Sequence, residues 1–305
     1  MNAIEIEQIT KTLGTHRAVD DLSLAVPAGT IYGFIGPNGS GKTTTLRMIM
    51  RILHPDRGRI QVLGEQSFDA ATDRIGYLPE ERGLYKKMKV REVLRFYAEL
   101  KGCRDSRQAV ARWLERMQLS EWADKKVEAL SKGMAQKVQF ISAVVARPEL
   151  VILDEPFSGL DPVNADVLRD AVLDLKRTGS TVLFSTHDMD VAEKMCDFIF
   201  MIFKGRKVLD GTLEQIQGQY GSNMVRVRLE EDGDVDRLAG ISGVERVNDF
   251  GRLQELRIAR GTDTQAVLAA LMQRGRVRHF ELASPSLHDI FIRIAGPEAQ
   301  EVSRA

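Results

Sequence analysis

Gly36-Pro37-Asn38-Gly39-Ser40-Gly41-Lys42-Thr43 follows the pattern G-x-x-x-x-G-K-[ST] of a phosphate-binding loop. The context agrees with the motif. The apolar run Ile31-Tyr32-Gly33-Phe34-Ile35 precedes it and reads as a buried strand, and Thr44 to Met50 follows and reads as a helix. A polyphosphate needs several N–H donors at close range. Glycines let the backbone curl so that successive N–H groups point inward. The helix adds its free N-terminal N–H groups and the positive end of its dipole. In this pattern Lys42 supplies a full positive charge to the β- and γ-phosphates, and Thr43 offers a hydroxyl to Mg²⁺. The residues expected to hold the phosphates are Gly36, Pro37, Asn38, Gly39, Ser40, Gly41, Lys42, Thr43 and Thr44. A chance glycine turn is the alternative, and the flanking strand and helix weigh against it.

The 305 residues are enough for one or two domains. Lys and Arg number 43 and Asp and Glu number 43, so the chain lacks the global charge of a nucleic-acid binder. Cys103 and Cys196 stand far apart and have no partner at metal-ligand spacing, which suits a reducing compartment. The acidic start, Met1-Asn2-Ala3-Ile4-Glu5-Ile6-Glu7, argues against a signal peptide. The strongest apolar run, Phe198 to Phe203, is far too short to span a bilayer. Any membrane role is therefore expected through a partner.

Strands are expected at residues 4–10 and at Leu22 to Val26, ahead of the loop, which is unlike a simple doubly wound sheet. From Val90 to about Val145 the apolar spacing is helical, as at Val93, Leu94, Tyr97 and Leu100. This block, about 88–145, reads as a helical subdomain inserted into an α/β core. Ser131 can cap the apolar helix from Val138 to Val145, and Gly133 permits close backbone approach. Leu150-Val151-Ile152-Leu153-Asp154-Glu155 is a buried strand ending in two acids. Such a strand can deliver Asp154 to Mg²⁺ and place Glu155 to polarise an attacking water; a solvent-facing strand end is the alternative. Ser158-Gly159-Leu160-Asp161 leads into a helix near Asn164 to Arg177. Another buried strand, Thr181 to Ser185, carries His187 just past its tip, within reach of a γ-phosphate. Phe198 to Phe203 and Lys207 to Leu209 read as a closing hairpin around Lys204-Gly205.

These residues in this order resemble the ATP-binding subunit of ABC transporters, over about residues 1–215. Walker A is 36–43 and Walker B is 150–155, while Asp161 ends the D-loop and His187 matches the switch histidine. Leu130-Ser131-Lys132-Gly133-Met134 occupies the place of the LSGGQ signature, with Lys132 and Met134 departing from it. The resemblance implies a head-to-tail homodimer of two cassettes in which each ATP lies between one P-loop and the other copy's Ser131 and Gly133. It implies catalytic roles for Glu155 and His187, and metal roles for Thr43, Asp154 and Glu80, the last standing where the family has glutamine. The partner it implies is a separate membrane permease. The phrase Tyr77 to Met88 is similar to an exporter-type subgroup that includes sodium-efflux ATP-binding subunits.

After Gly211 the composition shifts. Strand and helix patterns from Met224 to Leu282 run β-α-β-β-α-β, the ferredoxin-like order. The expected organisation is a cassette at 1–215, a small α+β accessory domain at 216–296 and a loose tail at 297–305. A soluble ABC ATPase acting on nucleic acid or ribosomes is the rival reading. Lys42 and Ser131 stand too close in sequence for a long coiled-coil insertion, and two cysteines cannot supply repair-type zinc sites.

Overall fold

The computed structural model describes residues 1–65, 72–81, 83–220, 224–230, 238–259 and 261–296. The chain separates into two compact units, Met1–Thr212 and Leu213–Ala305.

The first unit is built on two sheets. Strands β1 (Asn2–Leu13), β2 (His16–Pro27) and β4 (Arg57–Val62) form an antiparallel sheet in the order β2-β1-β4. The hairpin is longer than the sequence pattern suggests. Leu13 pairs with His16 across Gly14-Thr15, so polar His16 and Arg17 continue the strand where alternation of apolar residues has already ended.

The second sheet has six strands in the order β5-β6-β7-β3-β8-β9. These are β3 (Ile31–Ile35), β5 (Ile75–Leu78), β6 (Leu150–Asp154), β7 (Thr181–Thr186), β8 (Phe198–Phe203) and β9 (Arg206–Gly211). Neighbours from β5 through β8 are parallel, and β9 returns antiparallel to β8. Every residue of β3, β6 and β7 is buried, as expected of strands covered on both faces. The β8–β9 turn uses Lys204 at φ 49 and Gly205 at φ 77. Two successive positive φ values match the twist of a two-residue hairpin.

Helix α1 (Lys42–Ile49) and the three-stranded sheet cover one apolar layer, which includes Leu46, Met48, Phe34 and Ile152. The other layer packs α2 (Val90–Leu100), α3 (Ser106–Arg116), α4 (Lys132–Val144) and α5 (Pro162–Arg177) around Val93, Phe140, Leu153, Leu168 and Phe184. Pro162 opens α5 and Asp161 caps it, accepting the Asn164 N–H at 3.0 Å. A short helix, α6 (Met189–Met195), precedes β8. Because β3, β6 and β7 lie side by side and run parallel, their C-terminal ends meet at one edge. That edge is where the loops bearing Gly36, Glu155 and His187 begin.

The second unit opens with α7 (Leu213–Tyr220). It holds an antiparallel sheet of β10 (Met224–Leu229), β11 (Val244–Asp249), β12 (Gln254–Ile258) and β13 (Val277–Ala283) in the order β11-β12-β10-β13. Helices α8 (Thr264–Met272) and α9 (Leu287–Ala295) complete it. The strand order, with the first and third strands adjacent, is the ferredoxin-like arrangement. Its core joins Val225, Val227, Leu256, Ile258, Val267 and Leu271. For the first helix of the expected β-α-β-β-α-β order, Leu238 and Ala239 are helical, while 231–237 lie outside the described residues, as does the tail at 297–305.

Candidate functional site

The glycine loop leaves β3 at Ile35 and enters α1 at Lys42. Gly36 has φ 156, and a Cβ there would stand 2.2 Å from the Ile202 carbonyl oxygen and 2.8 Å from Ser40 Oγ. Gly41 has φ 109, and a Cβ there would stand 2.5 Å from the Ala18 carbonyl oxygen. No side chain fits either position, so the curl of the loop is fixed by its neighbours β2 and β8. Lys42 is 6% exposed; its Nζ donates to the carbonyls of Gly36 at 2.7 Å and Pro37 at 3.2 Å.

Two acids from the end of β6 complete the site, Asp154 beside Thr43 and Glu155 beside Lys42. Asp154 is fully buried. Its Oδ1 accepts hydrogen bonds from Ser185 Oγ at 2.6 Å and Thr43 Oγ1 at 3.2 Å, and its Oδ2 has no donor. Glu155 takes φ 49, a left-handed conformation unusual for a residue with a side chain. Its N–H donates to Ser185 Oγ at 3.0 Å. This twist at the strand end turns the carboxylate back over the loop. Oε1 lies 3.4 Å from Lys42 Nζ, an ion pair without a hydrogen bond. Oε2 lies 3.0 Å from His187 Nδ1. A carboxylate only accepts, so Nδ1 carries the proton in that bond. The His187 side chain is half-exposed, with its other nitrogen away from this contact.

Tyr77 of β5 sits at the rim of the cluster. Burial, then the Asp154 carboxylate, pushes its phenol up to about 12, with Arg47 opposing and Glu80 adding a smaller push. Glu80 itself is exposed, two residues past the end of β5. No hydrogen bond or ion pair among the described residues joins it to Thr43 or Asp154. Ser131 caps α4, accepting the Met134 N–H at 3.3 Å. Gly133 faces Leu160 and Asn164, and Asp161 accepts from Asn164 through both oxygens. Among the described residues no hydrogen bond or ion pair ties Ser131, Gly133 or Asp161 to the P-loop. The structure thus brings Gly36, Lys42, Thr43, Asp154, Glu155 and His187 into one cluster and leaves the other three in a second group around the start of α4 and α5.

Ser185 holds both acids, and sequence reading passed over it. The available signal was a polar residue closing the apolar run Thr181 to Phe184, on a strand whose Ser185 stands in register beside Asp154.

The cluster suits a magnesium–nucleoside triphosphate. The loop has a backbone cradle that no Cβ can share, beside a buried lysine. Ser40 Oγ, Asp154 Oδ2 and Glu155 Oε1 are buried without hydrogen-bond partners. The last two give the site surplus negative acceptor capacity, which fits a hard cation with oxygen ligands. Fold and site together define a P-loop nucleotide-binding cassette.

Comparison with known proteins narrows the class. The family profile described as ABC transporter matches residues 19–158, and that of the ATP-binding protein DrrA1-3-like C-terminal domain matches 211–295. The chain is 44% identical to the uncharacterized ABC transporter ATP-binding protein YhaQ of Bacillus subtilis, over 96% of this chain and 98% of that one. It is 34% identical to the Nod factor export ATP-binding protein I of Paraburkholderia xenovorans, over 98% and 99%. It is 31% identical to the daunorubicin resistance ATP-binding protein DrrA3 of Streptomyces coeruleorubidus, over 97% and 96%. A solved ATP-binding subunit of an ABC transporter superposes with TM-score 0.67 at 31% identity, covering 72% of this chain and 93% of that one. The chain belongs to the ABC transporter family: it is an ATP-binding, ATP-hydrolysing cassette with a DrrA-like C-terminal domain. No helix among the described residues is long and apolar enough to cross a membrane.

Proposed function

We propose that this cassette powers export of a small compound or ion through a separate membrane permease, working as a homodimer with Mg²⁺ and ATP at the cytoplasmic face of the cell membrane. The observation that carries the reading is the cluster of buried Lys42, Asp154 and Glu155 with half-exposed His187 beside the ends of β3, β6 and β7. Export is supported by the drug-resistance and Nod-factor names of relatives that match the chain along its whole length. They support no one cargo, and sodium ions rest on the Tyr77 to Met88 phrase alone. Transporter relatives favour this reading over a DNA- or ribosome-directed ATPase.

In the proposed cycle the backbone from Gly36 to Thr44 and Lys42 bind the phosphates. Thr43, Asp154 and Glu80 hold the metal, which supplies charge neutralisation when bound. Glu155 orients the attacking water and takes its proton at Oε1 or Oε2. His187, held by Glu155, steadies the γ-phosphate. Ser131, Gly133 and Asp161 face the nucleotide of the second copy, a role supported by their separation from the cluster of their own chain. Glu155→Gln tests this. It should keep ATP binding, lower hydrolysis by about three orders of magnitude and accumulate an ATP-bound dimer. In gentle detergent the wild-type chain should bring down a multi-span protein that stimulates hydrolysis. Full hydrolysis by Glu155→Gln would reject the base assignment, and a chain that brings down only ribosomes or DNA would reject transport.

A further inference from the structure

Helix α4 buries polar side chains in its first turns. Gln136 and Gln139 are each 4% exposed, on a helix whose other buried residues include Val138, Phe140 and Ile141. They stand three apart and so share a face. Each amide nitrogen donates to the backbone of a different loop. Gln136 Nε2 reaches the Pro156 carbonyl at 3.2 Å, one residue past Glu155. Gln139 Nε2 reaches the carbonyls of Pro79 at 3.3 Å and Glu81 at 3.1 Å, which bracket Glu80. Both neighbours are acceptors, so only the NH₂ end of Gln139 can face them. Its Oε1 is buried with no partner. Methionine would fill the same space without that penalty. A glutamine is useful here only for what its nitrogen holds, and it holds the carbonyls of the residues before and after Glu80.

We propose that Gln136 and Gln139 are positioning residues that make the start of α4 a spacer between Glu80 and Glu155. Fixing the carbonyls of Pro79 and Glu81 restrains the backbone that carries Glu80 and so limits where its carboxylate can reach. Gln136 does the same for the carbonyl of Pro156, the residue after Glu155. Both amides ride on the helix that Ser131 caps. Ser131 and Gln139 are about 12 Å apart along that helix, at ~1.5 Å per residue. A push on Ser131 is therefore carried to both acids together. The inference rests on the metal and water roles proposed above for Glu80 and Glu155.

The first test does not use activity. Gln139→Met keeps side-chain length and removes both donors. In hydrogen–deuterium exchange of the full chain, peptides reporting Glu80 and Glu81 should exchange about five-fold faster, the factor for one ordinary hydrogen bond. Peptides from β3 and α1 should not change. Unaltered exchange at Glu80 and Glu81 overturns the proposal whatever Glu80 does. The second test is the Mg²⁺ dependence of hydrolysis. Gln139→Met should raise the half-saturating Mg²⁺ concentration about five-fold in the wild-type background and leave it unchanged in a Glu80→Ala background, because the two act on one group. Equal shifts in both backgrounds overturn the proposal. A flat response to Glu80→Ala alone rejects the metal role of Glu80, and the exchange result then decides positioning. If Gln139→Met does not fold, Gln139→Leu also removes the donors and is read in the same two ways.

Discussion

Ser185→Ala removes one oxygen that serves both acids. Ser185 Oγ donates to Asp154 Oδ1 at 2.6 Å and accepts the Glu155 N–H at 3.0 Å, and the residue is fully buried. A bond to a charged group contributes about 1.5–3 kcal/mol, and a buried N–H left unmet costs about 1–3 kcal/mol. Thr43 remains as the other donor to Asp154, so the losses are partial and a total near ~3 kcal/mol is expected. For a unit running from Met1 to Thr212, that lowers the thermal midpoint by ~6–12 °C. Turnover should suffer more than stability. Glu155 is held at φ 49, a conformation that costs ~1–3 kcal/mol and persists only while its surroundings enforce it. Once its N–H is released, the carboxylate drifts from Lys42 and His187, and a misplacement of ~1 Å costs about 10²-fold in rate. ATP affinity should change little, because the loop from Gly36 to Thr43 is untouched. Differential scanning fluorimetry, steady-state hydrolysis and binding of a fluorescent ATP analogue give the three readings. A midpoint within ~2 °C of wild type together with kcat within ~3-fold would refute the claim that Ser185 sets both acids.

Gly36→Ala should abolish measurable nucleotide binding by calorimetry, since its Cβ would meet the Ile202 carbonyl at 2.2 Å; wild-type affinity would show that the loop can shift out of the way. Asp174 ties α3 to α5 through Arg116, and Arg177 first, then Arg116, holds its carboxyl below the ordinary value. A depressed carboxyl contributes stability that is present above its unfolded value and lost as pH falls through the folded one. Asp174→Asn should therefore lower the thermal midpoint at pH 7 and approach wild type as pH falls through the depressed folded value, and a difference that persists once the carboxyl is protonated would contradict the ion-pair origin.

The phosphate loop was legible because glycine spacing, a preceding strand and a following helix are all local facts. So were the two acids, since a run of apolar residues ending in Asp154-Glu155 after a phosphate loop reads as a buried strand delivering charge to its tip. The closing hairpin at Lys204-Gly205 and the ferredoxin-like strand order were also readable from local alternation and turns. Long-range partners were not. Nothing near Ser185 in sequence announces Asp154, because their adjacency comes from parallel pairing of β6 with β7. The same holds for Gln139, whose carbonyl partners lie on a loop before α2. The β1–β2 hairpin was read short for a different reason: exposed His16 and Arg17 satisfy the backbone ladder without contributing to the apolar pattern.

The charge arrangement explains why nucleotide and metal should enter together. Lys42, Asp154 and Glu155 are buried together, with Lys42 paired to Glu155 alone, and Asp154 Oδ2 and Glu155 Oε1 are left without hydrogen-bond donors. A bare triphosphate would add like charge to that surplus, in a medium where repulsion is far stronger than in water. The helix dipole of α1 offsets only about half a charge. A divalent cation reverses the sign of the balance, and the open oxygen of Asp154 faces no competing donor. Affinity for ATP in excess chelator should therefore be weak, and Asp154→Asn should narrow the gap between affinities measured with and without Mg²⁺. Removing one negative charge relieves the repulsion that the metal otherwise offsets. An unchanged gap in that variant would mean that Asp154 does not sense the metal, and the cluster's surplus charge would then need another explanation.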